Sequence, residues 1–399
     1  MKYDFDRVIS RKNTDCIKWD GAKILFGDED IIPMWVADMD IPIAKPVSDA
    51  IRNRTEHEIY GYPVHSPVSV IEAVRNRMKD KYGWEIKPEW IVFTPGIVPA
   101  LYAAVKAYTV PGDDVILQSP VYYPFSNAIR DNGCQIAGNQ LTLADGRYEI
   151  DFDDLRSKFS LKTGRPPLPS RVRLMLLCNP HNPVGRVWTR EELARMGEIV
   201  VGNGAVIVSD EVHSEILFNE VKHIPFAMLS EKFEQFSVTC VSPSKTFNLA
   251  GLGASAIIIP DGKLRARFHE AKRGIMPAIN IFGLVAMEAA FRYGDEWLEQ
   301  FIEYLHGNLE FLLEYFDNYI PKIKVIKPEG TYLVWLDCRE LGMDPKKLKI
   351  FMTKKAKVGL DEGGLFGPGG EGFKRMNIAC PRGMLGEALE RIRHAVMSL

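Results

Sequence analysis

The 399-residue chain has no apolar run near the roughly 18 residues a membrane-spanning helix needs. Its opening, Met1-Lys2-Tyr3-Asp4-Phe5-Asp6-Arg7, is too charged for the apolar centre of a secretory signal. Cysteine is scarce and scattered: Cys16, Cys134, Cys178, Cys240, Cys338 and Cys380 include no C-x-x-C pair. That spacing argues against a disulfide framework or a zinc site and fits a reducing compartment, so a cytoplasmic protein is expected. Charge of one sign is also missing. A formal net charge of -2 gives no reason to expect a nucleic-acid or anionic-membrane partner, which leaves a small molecule as the expected target. With 46% hydrophobic and 26% charged residues, the composition is that of an ordinary globular protein with one sizeable core or two.

The most informative stretch runs from Ser242 through Lys245 to Gly253 (SPSKTFNLAGLG). It lies between two short apolar runs, Phe236 to Val241 and Ala254 to Ile259, whose β-branched content reads as buried strands. Lys245 is thus placed on a strand-to-strand connection. An exposed lysine with pKa about 10.4 is neutral in roughly 1 molecule in 2,500 at pH 7, so chemistry at this amine requires burial, a nearby cation or a Schiff base. Two other motifs overlap the stretch. Ser242-x-x-Lys245 with Lys162-Thr163-Gly164 matches the serine-lysine acyl hydrolases in residue type, but the triplet precedes the pair and sits in a Pro-rich loop. Gly251-x-Gly253-x-x-Ala256 matches a dinucleotide fingerprint but precedes a strand instead of following one.

Along the chain, residues 1–32 read as an arm, and Pro33 to Asp40 (PMWVADMD) as an extended segment closed by Pro42. Helical patterns at about 44–56 and 67–82 follow, separated by Tyr60-Gly61-Tyr62-Pro63. From residue 90, short apolar runs at Ile91 to Phe93, Val115 to Leu117, Arg173 to Leu177 and Ala205 to Val208 alternate with helical stretches. This is the signature of an α/β fold with a mostly parallel sheet flanked by helices. Such sheets bind ligands beyond the carboxyl ends of their strands. The segments found there are Thr94-Pro95-Gly96-Ile97-Val98-Pro99, a turn into a helix whose first N–H groups suit an anion; Ser119-Pro120-Val121-Tyr122-Tyr123-Pro124; Cys178-Asn179-Pro180-His181-Asn182-Pro183-Val184-Gly185; and Ser209-Asp210-Glu211-Val212-His213. Asp210 is a carboxylate with apolar flanks and needs a partner. The last third predicts helical structure over about 279–316, short runs at Lys322 to Ile326 and Tyr332 to Leu336, a glycine-rich mobile loop at 363–370 that lacks the residues of a P-loop, and a final helix near 385–397.

Asn-Pro-x-Asn-Pro-x-Gly at 179–185, Asp210 with His213, and Ser-x-Ser-Lys at 242–245, together with Tyr62, Gly96 and Arg-x-Asn at 375–377, resemble the class I/II aminotransferase family of pyridoxal-phosphate enzymes of fold type I. The N-terminal Tyr3-Asp4-Phe5-Asp6, Lys18-Trp19-Asp20 and the segment from Pro33 to Asp40 resemble the branch of cystalysin and the MalY/PatB-type cystathionine β-lyases.

The resemblance implies a large cofactor domain with a seven-stranded-type sheet (48–290), a small α+β domain (291–399) joined by residues 1–47, and a homodimer. It implies that Lys245 carries pyridoxal 5'-phosphate and removes the substrate's α-proton, and that Asp210 keeps the ring nitrogen protonated. Asn182 would bond the ring oxygen, His213 would contact the same oxygen, and Tyr122 would stack on the ring. The N–H groups of Ile97 and Val98 after Gly96, with Ser242, assisted by Ser244 and by Tyr62 from the neighbouring subunit, would hold the phosphate. Arg375 would grip the substrate carboxylate beside Asn182 and the Ala37 N–H. Tyr122, Tyr123 or Lys245 would protonate a departing thiolate. Gly253 stands where many members carry a phosphate-binding arginine, a departure shared with the lyase branch. The implied activity is β-elimination of L-cystathionine or related S-substituted cysteines, through an aminoacrylate that hydrolyses to pyruvate and ammonia. An aminotransferase and a cofactor-binding regulatory protein are the alternatives.

Overall fold

A computed structural model describes residues 1–160, 171–218 and 221–399. The triplet Lys162-Thr163-Gly164 lies outside the described residues. A seven-stranded sheet comprises, in chain order, β1 (Ile91–Thr94), β2 (Asp114–Leu117), β3 (Gln135–Gly138), β4 (Val172–Cys178), β5 (Val206–Asp210), β6 (Ser237–Val241) and β7 (Ser255–Ile258). Its spatial order is β1-β7-β6-β5-β4-β2-β3, with every pairing parallel except those of β7 to β1 and β6. The central strands are apolar on both faces because both are covered. Leu174 and Leu176 pack into the layer that includes Phe125 and Phe268, while Met175 and Leu177 pack into the layer that includes Trp188 and Phe226.

A second, four-stranded antiparallel sheet contains β8 (Lys324–Ile326), β9 (Leu333–Asp337), β10 (Asp361–Glu362) and β11 (Phe373–Asn377), in the order β8-β9-β11-β10. The expected helices are present as α1 (Lys45–Thr55), α2 (Val68–Tyr82), α3 (Ile97–Tyr108) and, at the end of the chain, Arg382–Met397. The predicted helical stretch at 279–316 is two helices, Ile281–Tyr293 and Asp295–Tyr319, broken at Gly294. A Cβ there would lie 2.3 Å from Phe247 Cε1 and 2.5 Å from the Ala290 carbonyl oxygen. The break is where Phe247, from the Lys245 stretch, packs onto bare backbone. Among the described residues no helix is long and apolar enough to cross a membrane, and all six cysteines are free.

Residues 32–41 are tied to the C-terminal part of the chain and to the Lys245 connection. Ile32–Pro33 pairs in parallel with Val358–Gly359, and Asn377 Nδ2 donates to the carbonyls of Val36 (2.6 Å) and Asp38 (2.5 Å). Asn248, at φ 58°, accepts from the Met39 N–H at 3.0 Å and donates to the Met39 and Ile41 carbonyls, each at 3.0 Å. Lys18 and Arg11 form ion pairs with Asp40 and Asp38 beneath this segment.

The glycine-rich segment differs from the expected mobile loop. Gly363–Phe366 forms a helical turn, the buried Phe366 ring packs edge-on to Trp335 at 5.4 Å, and the Phe366 carbonyl accepts from the Val121 N–H at 2.9 Å. At Gly363 an added Cβ would lie 2.0 Å from the Gly370 oxygen and 2.6 Å from the Phe373 oxygen, both backbone. Gly363→Ala is therefore expected to cost about 1–3 kcal/mol through forced backbone movement, read as a lower urea midpoint at unchanged slope. Gly364→Ala, with nothing within 4 Å, should cost less.

Candidate active site

A cavity of about 210 Å³ opens beyond the carboxyl ends of the parallel strands. It is large enough for one small ring and too small for a dinucleotide, well below the roughly 300–1,000 Å³ usual for ligand pockets. Each wall is the residue run that follows a strand. After β1 comes Gly96, whose φ of 150° favours glycine, and then α3. No side chain caps α3, so the Ile97 and Val98 N–H groups lack intrahelical partners, and both residues line the cavity. Tyr122 follows β2, Cys178 and Asn182 follow β4, and Asp210 ends β5.

Lys245 sits on a single helical turn, Pro243–Thr246, between β6 and β7. Ser242 caps that turn: its hydroxyl accepts from the Ser244 N–H (3.1 Å) and donates to the Ala254 carbonyl (2.7 Å). Ser242 is therefore occupied locally and does not line the cavity, whereas Ser244 does. The Lys245 amine donates to the Ala37 carbonyl at 2.7 Å, not to Ser242, so no serine-lysine dyad forms. Gly251 and Gly253 precede β7 and serve no dinucleotide helix. Gly253 has φ 54° and a Cβ position 3.0 Å from the Pro95 oxygen, a backbone that resists an arginine there.

Burial, with help from the Arg375 charge, depresses the Lys245 amine to about 8 against the opposing pull of Asp38 and Asp210. At pH 7 that leaves roughly one amine in ten neutral. Burial pushes Asp210 up to about 7, although the Val212 N–H (3.1 Å) and Lys245 favour its charged form. Among the described residues no lysine or arginine forms an ion pair with Asp210, Lys245 acting on it only through its charge. Its neighbour Glu211 points to the opposite side, where Ser209, His223 and the Phe226 N–H satisfy it. His213 lines the cavity with Nδ1 buried and unpaired, and burial holds the imidazole neutral, well below its usual pKa. Asn182 Oδ1 accepts from Arg375 Nη1 at 2.9 Å, which leaves its amide nitrogen to the cavity.

Ten predicted residues line this cavity: Ala37, Gly96, Ile97, Val98, Tyr122, Asn182, Asp210, His213, Ser244 and Lys245. Arg375 joins them through Asn182. Tyr123 does not line it; half exposed, it leans on Tyr122 with ring centroids 5.2 Å apart. Tyr62 is fully exposed and also lies outside the lining. The Ala37 carbonyl accepts from both Lys245 (2.7 Å) and the Tyr332 hydroxyl (2.9 Å). Sequence reasoning missed Tyr332, Asn248 and Asp361, the carboxylate paired with Arg375.

These features fit the pyridoxal phosphate that the sequence resemblance implies. Free N–H groups and the Ser244 hydroxyl suit a phosphate at one end, an under-partnered Asp210 suits a protonated ring nitrogen at the other, and the unpaired His213 and Asn182 amide suit a ring oxygen between them. A larger chamber of about 620 Å³ adjoins, sharing Ala37, Lys245 and Ala250 and lined also by Arg11, Asp38 and Asn248.

Comparison with known proteins agrees with this arrangement. The family model for aminotransferase class I and II matches residues 37–392. Cystathionine beta-lyase PatB of Bacillus subtilis (strain 168) is 43% identical over 394 residues, covering 98% of this chain and 100% of that protein. The structure of cystalysin from Treponema denticola, which contains a pyridoxal 5'-phosphate cofactor, superimposes with TM-score 0.94 at 36% identity, covering 100% of both chains. The pyridoxal-phosphate-bound C-S lyase from Staphylococcus hominis gives TM-score 0.90 at 34% identity, covering 99% of this chain and 98% of that one. The large mixed sheet with its flanking helices is thus the fold of these enzymes, and the chain belongs to the aminotransferase class I and II family.

Proposed function

We propose that this chain is a pyridoxal-phosphate-dependent carbon–sulfur β-lyase that converts L-cystathionine, or a related S-substituted cysteine, to a thiol, pyruvate and ammonia. The observation that carries the reading is the pairing, across one small cavity, of an amine depressed to about 8 with a carboxyl raised to about 7. Similarity to PatB, cystalysin and the staphylococcal C-S lyase supports elimination over amino transfer.

Bound here, pyridoxal phosphate supplies an electron sink for the substrate's α-carbon. Asp210 would serve as the anion that keeps the ring nitrogen protonated; burial is what raises its pKa in the cofactor-free protein. The Ile97 and Val98 N–H groups with Ser244 would hold the phosphate, with Ser242 fixing Ser244. The Asn182 amide and neutral His213 would meet the ring oxygen, and Tyr122, which lines the same cavity, would pack against the ring. Lys245 would carry the cofactor, and its amine would take the proton from the substrate α-carbon; the Ala37 carbonyl offers that amine a hydrogen-bond acceptor. Arg375 binds the substrate carboxylate. Burial and the neighbouring Tyr123 push Tyr122 up to about 12, which keeps its phenol protonated. The leaving sulfur would take its proton from Tyr122, from Tyr123 or from Lys245, whose amine at about 8 is the stronger acid once it has taken the α-proton. The departing arm occupies the adjoining chamber.

The exposed cluster of Ile59, Tyr60, Tyr62 and Val64 is assigned to a homodimer interface, through which Tyr62 reaches the neighbouring subunit's phosphate site. Residues 1–47 and 291–399 form the small domain and close on the cofactor domain, 48–290.

Purified protein with pyridoxal phosphate should release pyruvate and ammonia from cystathionine with no 2-oxo acid added. Dependence on a 2-oxo acid would mark an aminotransferase, and cofactor colour without turnover a regulatory protein. Lys245→Ala should cost at least about 10²- to 10⁴-fold in turnover and remove the visible absorption.

Asp210 generates a pH effect in the cofactor-free protein. Its carboxyl titrates near 3.8 when unfolded and near 7 when folded, so between these values the folded state holds the extra proton. The stability this group contributes is complete below about pH 3.8 and is lost as pH rises through about 7. Urea unfolding from pH 4 to 8 should show this component in the wild type and not in Asp210→Asn.

A further inference from the structure

Strands β10 and β11 place two carboxylates directly opposite two cations, with Asp361 facing Arg375 and Glu362 facing Lys374. Both cations are buried, and each pairs with its opposite number. Neighbouring positions on a strand point to opposite faces, so the Arg375 pair turns toward Asn182 and the cavity while the Lys374 pair turns away. Only the first pair bears on the site.

Arg375 is over-determined in orientation. Nη1 donates to Asn182 Oδ1 and Nη2 to the Trp35 carbonyl, each at 2.9 Å, and the Phe366 ring lies 4.9 Å from Cζ. These partners are neutral, and they hold the guanidinium plane without Asp361. What Asp361 adds is a negative charge on Nη2. Arg375 Nε remains buried without an acceptor, so the guanidinium keeps unmet donor capacity even with Asp361 beside it.

Taking Arg375 as the ligand of the substrate carboxylate, the reading on which this inference rests, we infer that Asp361 is a specificity-determining residue: a built-in carboxylate that competes for Arg375 and weakens its hold on the substrate's own. A substrate carboxylate must approach a guanidinium already neutralised by one anion, and two carboxylates sharing one site repel. Burial raises the Asp361 carboxyl above its ordinary value, and the neighbouring guanidinium opposes that shift. The outcome is a site tuned for loose binding of the α-carboxylate and ready release of the carboxylate product.

The test compares KM and kcat of the holoenzyme for S-ethyl-L-cysteine and for its carboxamide. Asp361→Asn, which keeps an acceptor for Nη2, should lower KM for the acid on the order of tenfold with a smaller change in kcat, and shift the carboxamide KM by less than about twofold. Glu362→Gln, which alters the pair on the other face, should leave the acid-to-amide ratio as in the wild type. An acid KM that is unchanged or raised in Asp361→Asn overturns the inference; if that variant fails to fold, Asp361→Ser is read in the same way. Arg375→Lys tests the underlying reading separately. If it raises KM for the acid and amide alike, the carboxylate assignment of Arg375 falls, whatever Asp361→Asn does.

Discussion

The structure turns on a seam between two pieces of backbone distant in sequence, the Lys245 connection and the segment around Ala37. Lys245 donates to the Ala37 carbonyl, and Asn248 brackets Met39 and Ile41 with three hydrogen bonds. The seam buries an amine that water would keep charged, and burial is the largest cause of its lowered pKa. It also sets the Trp35 carbonyl against Arg375, so Lys245 and Arg375 are positioned by one extended segment. Beneath it, Lys18 and Arg11 face Asp38 and Asp40, an arrangement in which each of the two most buried charges, Lys18 and Asp40, has a partner of opposite sign.

The electrostatics of the cavity follow from that burial. Asp210 is pushed up, His213 is kept neutral and Lys245 is brought down, each chiefly through loss of water. The site thereby stores unmet polar capacity at separate points, and a small anionic ring compound with a protonated nitrogen satisfies several of them at once. Gly253 bears on the same balance. A φ of 54° beside the Pro95 carbonyl disfavours an arginine there, so the groups facing an anion at this end of the cavity are the free N–H groups of α3 and the Ser244 turn.

Much of the large sheet was legible because its strands are covered on both faces and read as continuous apolar runs, and because the ligand-bearing turns follow them. The Asn-Pro-x-Asn-Pro-x-Gly string, Asp210 and Lys245 converge on one cavity as expected. Other features were hidden for physical reasons. Strand β11 reads Phe-Lys-Arg-Met-Asn, and no hydrophobic pattern reveals that its two cations are buried, since their burial depends on Asp361 and Glu362 across a ladder whose register the sequence does not state. The glycine-rich segment suggested mobility, while close backbone approach at Gly363 and the Phe366 ring fix it. Gly294 looked like part of a continuous helix, yet contact with Phe247 ends one helix and starts another. In the Asp210-Glu211 pair, composition alone does not say which carboxylate faces the ligand; strand alternation decides it.

The most direct test is to trap the cofactor on the protein. Borohydride reduction of the purified holoprotein, followed by proteolysis and mass spectrometry, should find the pyridoxyl mass on the peptide containing Lys245 and on no other lysine. A reduced label on a different lysine, or no label after incubation with pyridoxal phosphate, would contradict the account.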